Sequence, residues 1–201
     1  MTDNVLFQMW SRHRANLVEK HRFYVVQAKK RLMYQFAEED LKAEADREGQ
    51  RLLDDNQSRF NPEVHDGSEF FEMADDARCE RYQLLADMRD NIRMSIVSGF
   101  FHEWEKSLRQ WLVDEVSHWH LGDAARSAIW KKNLMNLFEL IESFGWDLRA
   151  SPYFQNLDAC RLVVNVYKHG DGPSLDELAA KYPYLLEHPL DDMRGQIWEM
   201  C

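Results

Sequence analysis

From Glu72 to His118 the apolar residues return every three or four positions: Tyr82, Leu85, Ile92, Ile96, Phe100, Trp104, Leu108, Trp111 and Leu112. That spacing lines them up on one stripe of a helix and on no single face of a strand. A helix this long cannot bury its stripe alone, so it calls for partner helices. The rest of the chain offers them. A first helix is predicted to begin between Met9 and Leu17. It continues through Phe23, Val26, Met33, Phe36 and Leu41 toward Leu53, with Glu38 and Lys42 four apart on a charged face. The stretch "DDNQSRFNPEVHDGSEFF" breaks it, with turn signals at Asn61-Pro62 and Asp66-Gly67. It reads as one loop, not a domain linker, because the helices on either side each need a partner.

A third helix is predicted over Ala124–Phe144, carrying Ile129, Leu134, Leu137 and Ile141, and "GWDLRASP" ends it. A fourth covers Tyr153–His169, and a short fifth is entered through "SLDE". There Ser174 would cap the free N–H groups and Glu177 would reach back, a capping box. Gly99 lies inside the second helix, where it costs about 1 kcal/mol against alanine unless something packs closely on it. The expected fold is all-α: an antiparallel bundle of four main helices plus a short C-terminal helix, one domain over residues 1–201, with 184–201 a less regular tail.

Composition agrees and narrows the function classes. Only 8 glycines and 5 prolines punctuate the 201 residues, which favours long helices over many short strands. The formal charge of −10 repels nucleic acid as a whole, so any such contact must be local. One local basic stretch exists: Arg12, Arg14, Lys20, Arg22, Lys29, Lys30 and Arg31 face Glu19 alone. The bland reading is a solvated helix face. Cys79, Cys160 and Cys201 are widely spaced and form no metal or disulfide pattern, as in a reduced compartment. The first residues lack the layout of a secretory leader, and no apolar run approaches the roughly 20 residues of a membrane span. A cytoplasmic protein without membrane contact is expected.

The segment "VVNVYKHGDG", Val163–Gly172, places Asn165, Lys168 and His169 in an otherwise apolar run. As a strand it would scatter those groups over both faces. As a helix, at 3.6 residues per turn, it gathers Asp158, Arg161, Asn165, Lys168 and His169 into an arc of roughly 100°. The helix is therefore expected to be buried apart from one narrow polar seam, closed by Gly170 as a left-handed cap and by Pro173. Arg161, Asn165 and His169 follow at i, i+4 and i+8. An imidazole can move a proton near neutral pH, and a guanidinium can hold a phosphate with two hydrogen bonds. Asn165 could orient the imidazole or bond a ribose. Against this stands the plain alternative that an amphipathic helix needs a wet face.

Other groups are less telling. His118 and His120 in "HWH" sit two apart, a poor metal spacing on a helix, and no metal or cofactor is expected. Glu105 and Arg109 read as an ordinary i, i+4 ion pair, with His102 beside them. Trp104 and Trp111 suit a core or a dimer surface. The generous aromatic content points to a homodimer.

"VNVYKHGDG" resembles the HEPN superfamily, whose short motif runs from an arginine and a polar residue, often asparagine, to a histidine, frequently followed by "GD". The likeness extends over Tyr24–Pro183 as helical layout and over Arg161–Gly172 as motif. It implies an all-helical, dimeric, metal-independent ribonuclease of a toxin–antitoxin or phage-defence system. Arg161, Asn165 and His169 would be catalytic, Lys168 and Asp171 would meet the RNA, and a cognate antitoxin or defence protein would be a partner. In the compact form of the motif the arginine directly precedes the asparagine. Val164 stands there in this chain, and Arg161 lies almost a turn earlier.

Overall fold

The structure, a computed structural model, describes residues 9–57, 61, 63, 67–118 and 122–186. Every regular element among them is helical: α1 Ser11–Ala28, α2 Glu38–Gln57, α3 Gly67–Ser117, α4 Gly122–Lys131, α5 Leu134–Ser143, α6 Phe154–His169 and α7 Pro173–Lys181. A π turn, Lys29–Met33, and a 3-10 turn, Tyr34–Phe36, follow α1, and a second 3-10 turn, Pro183–Leu185, follows α7. The valine-rich stretch of α6 is helix, and α3 holds the long period over 51 residues.

Two predicted helices are each divided. The first stops at Ala37, whose ψ of 146° is extended. Its apolar spacing runs on through the break, but its charge does not. Lys30 and Arg31 close the π turn, and Glu38, Glu39 and Asp40 open α2. Cations suit a helix C-terminus and carboxylates an N-terminus, so the sign reversal marks the joint. The predicted third helix breaks at Lys132–Asn133. The Asn133 side chain accepts a 2.8 Å hydrogen bond from the Asn136 N–H and starts α5 afresh. The expected capping box at α7 is also absent. Gly172 is the N-cap and Pro173 the first helical residue, a position whose N–H needs no partner. Ser174 makes no cap, and Glu177 turns instead toward α6.

Residues Arg12–Phe100 form one compact unit; the described residues from Phe101 onward, with Met9–Ser11, form another. In the first, the chain up to Gln57 runs antiparallel to α3. Tyr24 donates to the Ile96 carbonyl at 3.2 Å, and Tyr82 and Arg89 donate to Glu38 at 2.7 and 3.1 Å. Further along, Arg78 pairs with Asp46 at 3.0 Å. Small residues set the closeness of this pairing. Leu41, Ala45 and Gly49 are buried one turn apart on α2, opposite the buried Ala74. A Cβ on Gly49 would lie 2.9 Å from the Ala74 carbonyl oxygen. Gly99 has a similar reason: the Tyr24 hydroxyl occupies the place of its Cβ, at 2.5 Å.

The second unit holds the larger core. Leu112 and Trp111 of α3, Leu137 and Phe138 of α5, Leu162 and Val164 of α6 and Leu178 of α7 are all buried. Trp111 packs on Trp146 and Phe138 on Phe154, with ring centroids 5.7 and 5.9 Å apart. Arg109 joins them unexpectedly, only 8% exposed. Its guanidinium pairs with Glu105, as its spacing suggested, and also donates to the carbonyls of Ile129 and Lys132 at 2.7 and 2.8 Å. It thereby satisfies the open carbonyl end of α4, where α5 begins.

Gly49→Ala should lower the melting temperature. The helix-propensity gain of about 1 kcal/mol meets an overpacking cost of about 1–3 kcal/mol, and the obstructing atom is a backbone oxygen that cannot swing aside. Thermal denaturation followed by circular dichroism checks this; an unchanged or raised midpoint would mean that α2 and α3 do not approach so closely.

Candidate functional site

The polar seam of α6 has two halves. The first is covered by α7. Asp158 is only 1% exposed. Its Oδ1 accepts from Arg161 Nε at 2.9 Å and Nη2 at 2.6 Å, and its Oδ2 from Lys181 Nζ at 3.1 Å and the Tyr182 hydroxyl at 3.2 Å. Glu177 Oε1 accepts from Arg161 at 3.1 Å and from Lys181 at 2.5 Å. The pairs Asp158–Lys181 and Arg161–Glu177 show α7 running back antiparallel over α6. The expectation of one continuous wet seam is thus corrected. Its first two turns are a helix–helix contact whose polar groups answer one another, because a buried carboxylate must be paired to be tolerated.

The charges respond accordingly. Burial pushes the Asp158 carboxyl up, but the hydrogen bonds and charges of Arg161 and Lys181 outweigh it, and the pKa ends below the ordinary range. Lys181 likewise holds Glu177 down, and Glu177 raises Lys181.

The second half of the seam is open. Asn165 is half-buried, while Lys168, His169 and Asp171 are exposed. Among the described residues, none of these four side chains takes a hydrogen bond or ion pair. Gly170 closes the helix with φ +68° and ψ −145°, and its N–H donates to the Val166 carbonyl at 2.8 Å. The positive φ is the one expected of glycine, although ψ is not that of the left-handed helix. Asp171 follows in the bend that returns the chain to α7.

The structure therefore splits the predicted set. Arg161, with 12% of its side chain exposed, is engaged by Asp158 and Glu177. Val164, in the place where the motif's arginine stands, is 1% exposed and packs in the core. Tyr167, expected in the interior, is 39% exposed. Cys160 is half-buried, and burial raises its thiol pKa, which disfavours a nucleophilic thiolate. His102 Nδ1 lies 3.8 Å from Glu105 on α3. His118 is exposed, and His120 lies outside the described residues, as does Cys201. Among the described residues no three histidine, cysteine or acidic side chains cluster in a way that could hold a metal ion, and no helix is long and apolar enough to cross a membrane.

Lys181 and Tyr182 escaped the sequence reading, and Glu177 reads there as a cap and not as a partner of Arg161. A signal was present: Asp158 and Arg161 three apart, then Glu177 and Lys181 four apart, on helices joined by a Gly-Asp-Gly-Pro turn. Compared with family models, curated proteins and solved structures, the chain matches none.

Arg161→Ala would leave a buried carboxylate short of its main partner, at a cost of about 3 kcal/mol, the lower end for a broken buried pair because Lys181 and Tyr182 remain. The pH dependence has a definite sign. A carboxylate whose pKa is depressed by folding stabilises above its unfolded value, near 4, and loses that contribution as pH falls through its folded value. Urea denaturation across the acid range should therefore show wild type losing stability steeply below about pH 4, and Asp158→Asn starting lower at neutral pH but falling less. Parallel acid profiles would mean that Asp158 is not held as an ion.

Proposed function

We propose that the chain is a HEPN-like protein acting on RNA, a metal-independent endoribonuclease of a bacterial toxin or defence module. The observation that carries the reading is the open end of α6, where Lys168, His169 and Asp171 are exposed polar groups of "VNVYKHGDG" and Asn165 is half-buried beside them. The His169 imidazole would take the proton of a ribose 2′-OH. That oxygen attacks the adjacent phosphorus, the bond to the 5′-oxygen breaks, and a general acid protonates the leaving oxygen. The products are a 2′,3′-cyclic phosphate and a 5′-hydroxyl. Lys168 would offset phosphate charge as a point cation. Among the described residues one chain offers a single imidazole at this end, so the acid would come from His169 of a second copy, which makes a homodimer part of the reading. Arg161 enters as a positioning residue that fixes α6 against α7. The same reading takes the helices as an antiparallel bundle, the location as cytoplasmic, and an antitoxin or defence protein as partner.

A second reading is a non-catalytic helical dimer that serves as a protein-binding or scaffold module. One observation favours it: the guanidinium of Arg161 is held by Asp158 and Glu177, and a buried valine occupies position 164.

His169→Ala separates the two. The side chain is exposed, so its loss should leave the melting temperature nearly unchanged while abolishing cleavage of RNA. Cleavage by wild type should persist in EDTA and leave cyclic phosphate ends. Light scattering should give twice the 24.0 kDa chain mass. A pure dimer that cleaves no RNA would leave the scaffold reading, and a monomer at micromolar concentration would remove the shared-site chemistry.

A further inference from the structure

We infer that the outward face of α1 and the turns after it form a second surface, one that holds single-stranded RNA by its phosphates and stacks on its bases. It deepens the RNA reading and rests on that reading only for the choice of RNA over another polyanion. Residues 11–36 carry seven cations against the single carboxylate of Glu19, in a chain whose formal charge is −10. Leu17, His21, Tyr24 and Ala28 fall on one side of α1 within roughly 60°, and through Tyr24 and His21 that side meets Ile96 and Phe100. Arg12, Phe23 and Val26 fall on the opposite side, also within roughly 60°. Phe23 is 64% exposed, and Tyr34, beyond the Lys29–Met33 turn, is 70% exposed.

Apart from Lys20, which is engaged, these cations are available for a ligand. Arg22 pairs with Glu19 at 3.4 Å, with both side chains mostly in solvent, and Arg31 bonds the neutral Gln27. Among the described residues Arg12, Arg14, Lys29 and Lys30 meet no carboxylate. By contrast, Arg51 is answered by Glu48 and Asp55, Arg78 by Asp46 and Asp75, and Arg89 by Glu38 and Asp90. Four cations that meet no carboxylate, gathered over residues 12–30 of an otherwise acidic chain beside exposed aromatic rings, have the makings of a phosphate-tracking surface with stacking platforms. A duplex keeps its base faces stacked and could use the charge but not the rings, which selects a single strand.

The test uses the full chain and a fluorescein-labelled, uridine-rich 2′-O-methyl RNA of about 20 nucleotides, which can bind but lacks the hydroxyl needed for cleavage. Fluorescence anisotropy should show binding that weakens steeply with salt. Lys29→Ala with Lys30→Ala should weaken it at least about tenfold at low salt and flatten the salt dependence. Phe23→Ala should weaken single-strand binding and leave any duplex binding unchanged. Circular dichroism confirms that the variants are folded. The proposal is overturned if the lysine variant binds RNA as tightly as wild type, if phosphatidylserine vesicles compete as well as RNA does, or if the lysine variant changes the oligomeric mass. The last two results would assign the face to a membrane surface or to a second copy. Failure here with RNA still cleaved would leave the catalytic reading standing, and binding without cleavage would do the reverse.

Discussion

A carboxylate that is 1% exposed dictates the arrangement around it. Asp158 cannot remain ionised in the interior without partners, because burying a lone charge costs several kcal/mol or more. Arg161 comes from one turn along the same helix, Lys181 and Tyr182 come from the end of α7, and Glu177 balances the two cations. These bonds fix the direction and register in which α7 returns over α6. They also decide what Arg161 can do. A guanidinium spent on a buried carboxylate and a second acidic group is a poor phosphate clamp, so the chemistry proposed for α6 falls to groups beyond the reach of α7.

Arg109 works by the same logic within the same unit. Its charge is buried at a junction where α4 ends and α5 starts, and it bonds two carbonyls as well as Glu105. Two polar nodes thus hold together a core otherwise made of Leu, Val, Phe and Trp side chains. The unit of residues 12–100 is built differently. Most of its ion pairs are exposed and weak individually, and the closeness of its helices comes from Ala45, Gly49 and Ala74. Its hydrophobic burial is thin, with Val18, Phe23, Leu84 and Met88 left in solvent.

The helical nature of the chain and the extents of α3 and α6 were legible in the sequence, because an apolar period kept over many turns has few other structural explanations. The breaks at Ala37 and Lys132–Asn133 were not, because apolar spacing continued across both. What marked them was chemistry of another kind: a reversal of charge sign at one, and an asparagine able to cap at the other. The seam of α6 was legible as a cluster and misread as a surface. Its own periodicity says which residues share a face, but not what lies on that face. That information was in α7, in Glu177 and Lys181, and in a turn short enough to fold one helix back on the other. The accessible end, Lys168 and His169, followed from position alone, since the chain turns away there.

The central claim is that Arg161 serves the buried carboxylate, not a ligand, and a double-mutant cycle between the two tests it most directly. Asp158→Asn, Arg161→Gln and the double variant, compared with wild type by urea denaturation near neutral pH, give the coupling free energy. The expected coupling is at least about 1 kcal/mol, because each single change strands the other's charge while the double change removes both. Additive effects, with no coupling, would mean that Arg161 does not depend on Asp158, and would return its guanidinium to the list of groups free to hold a phosphate.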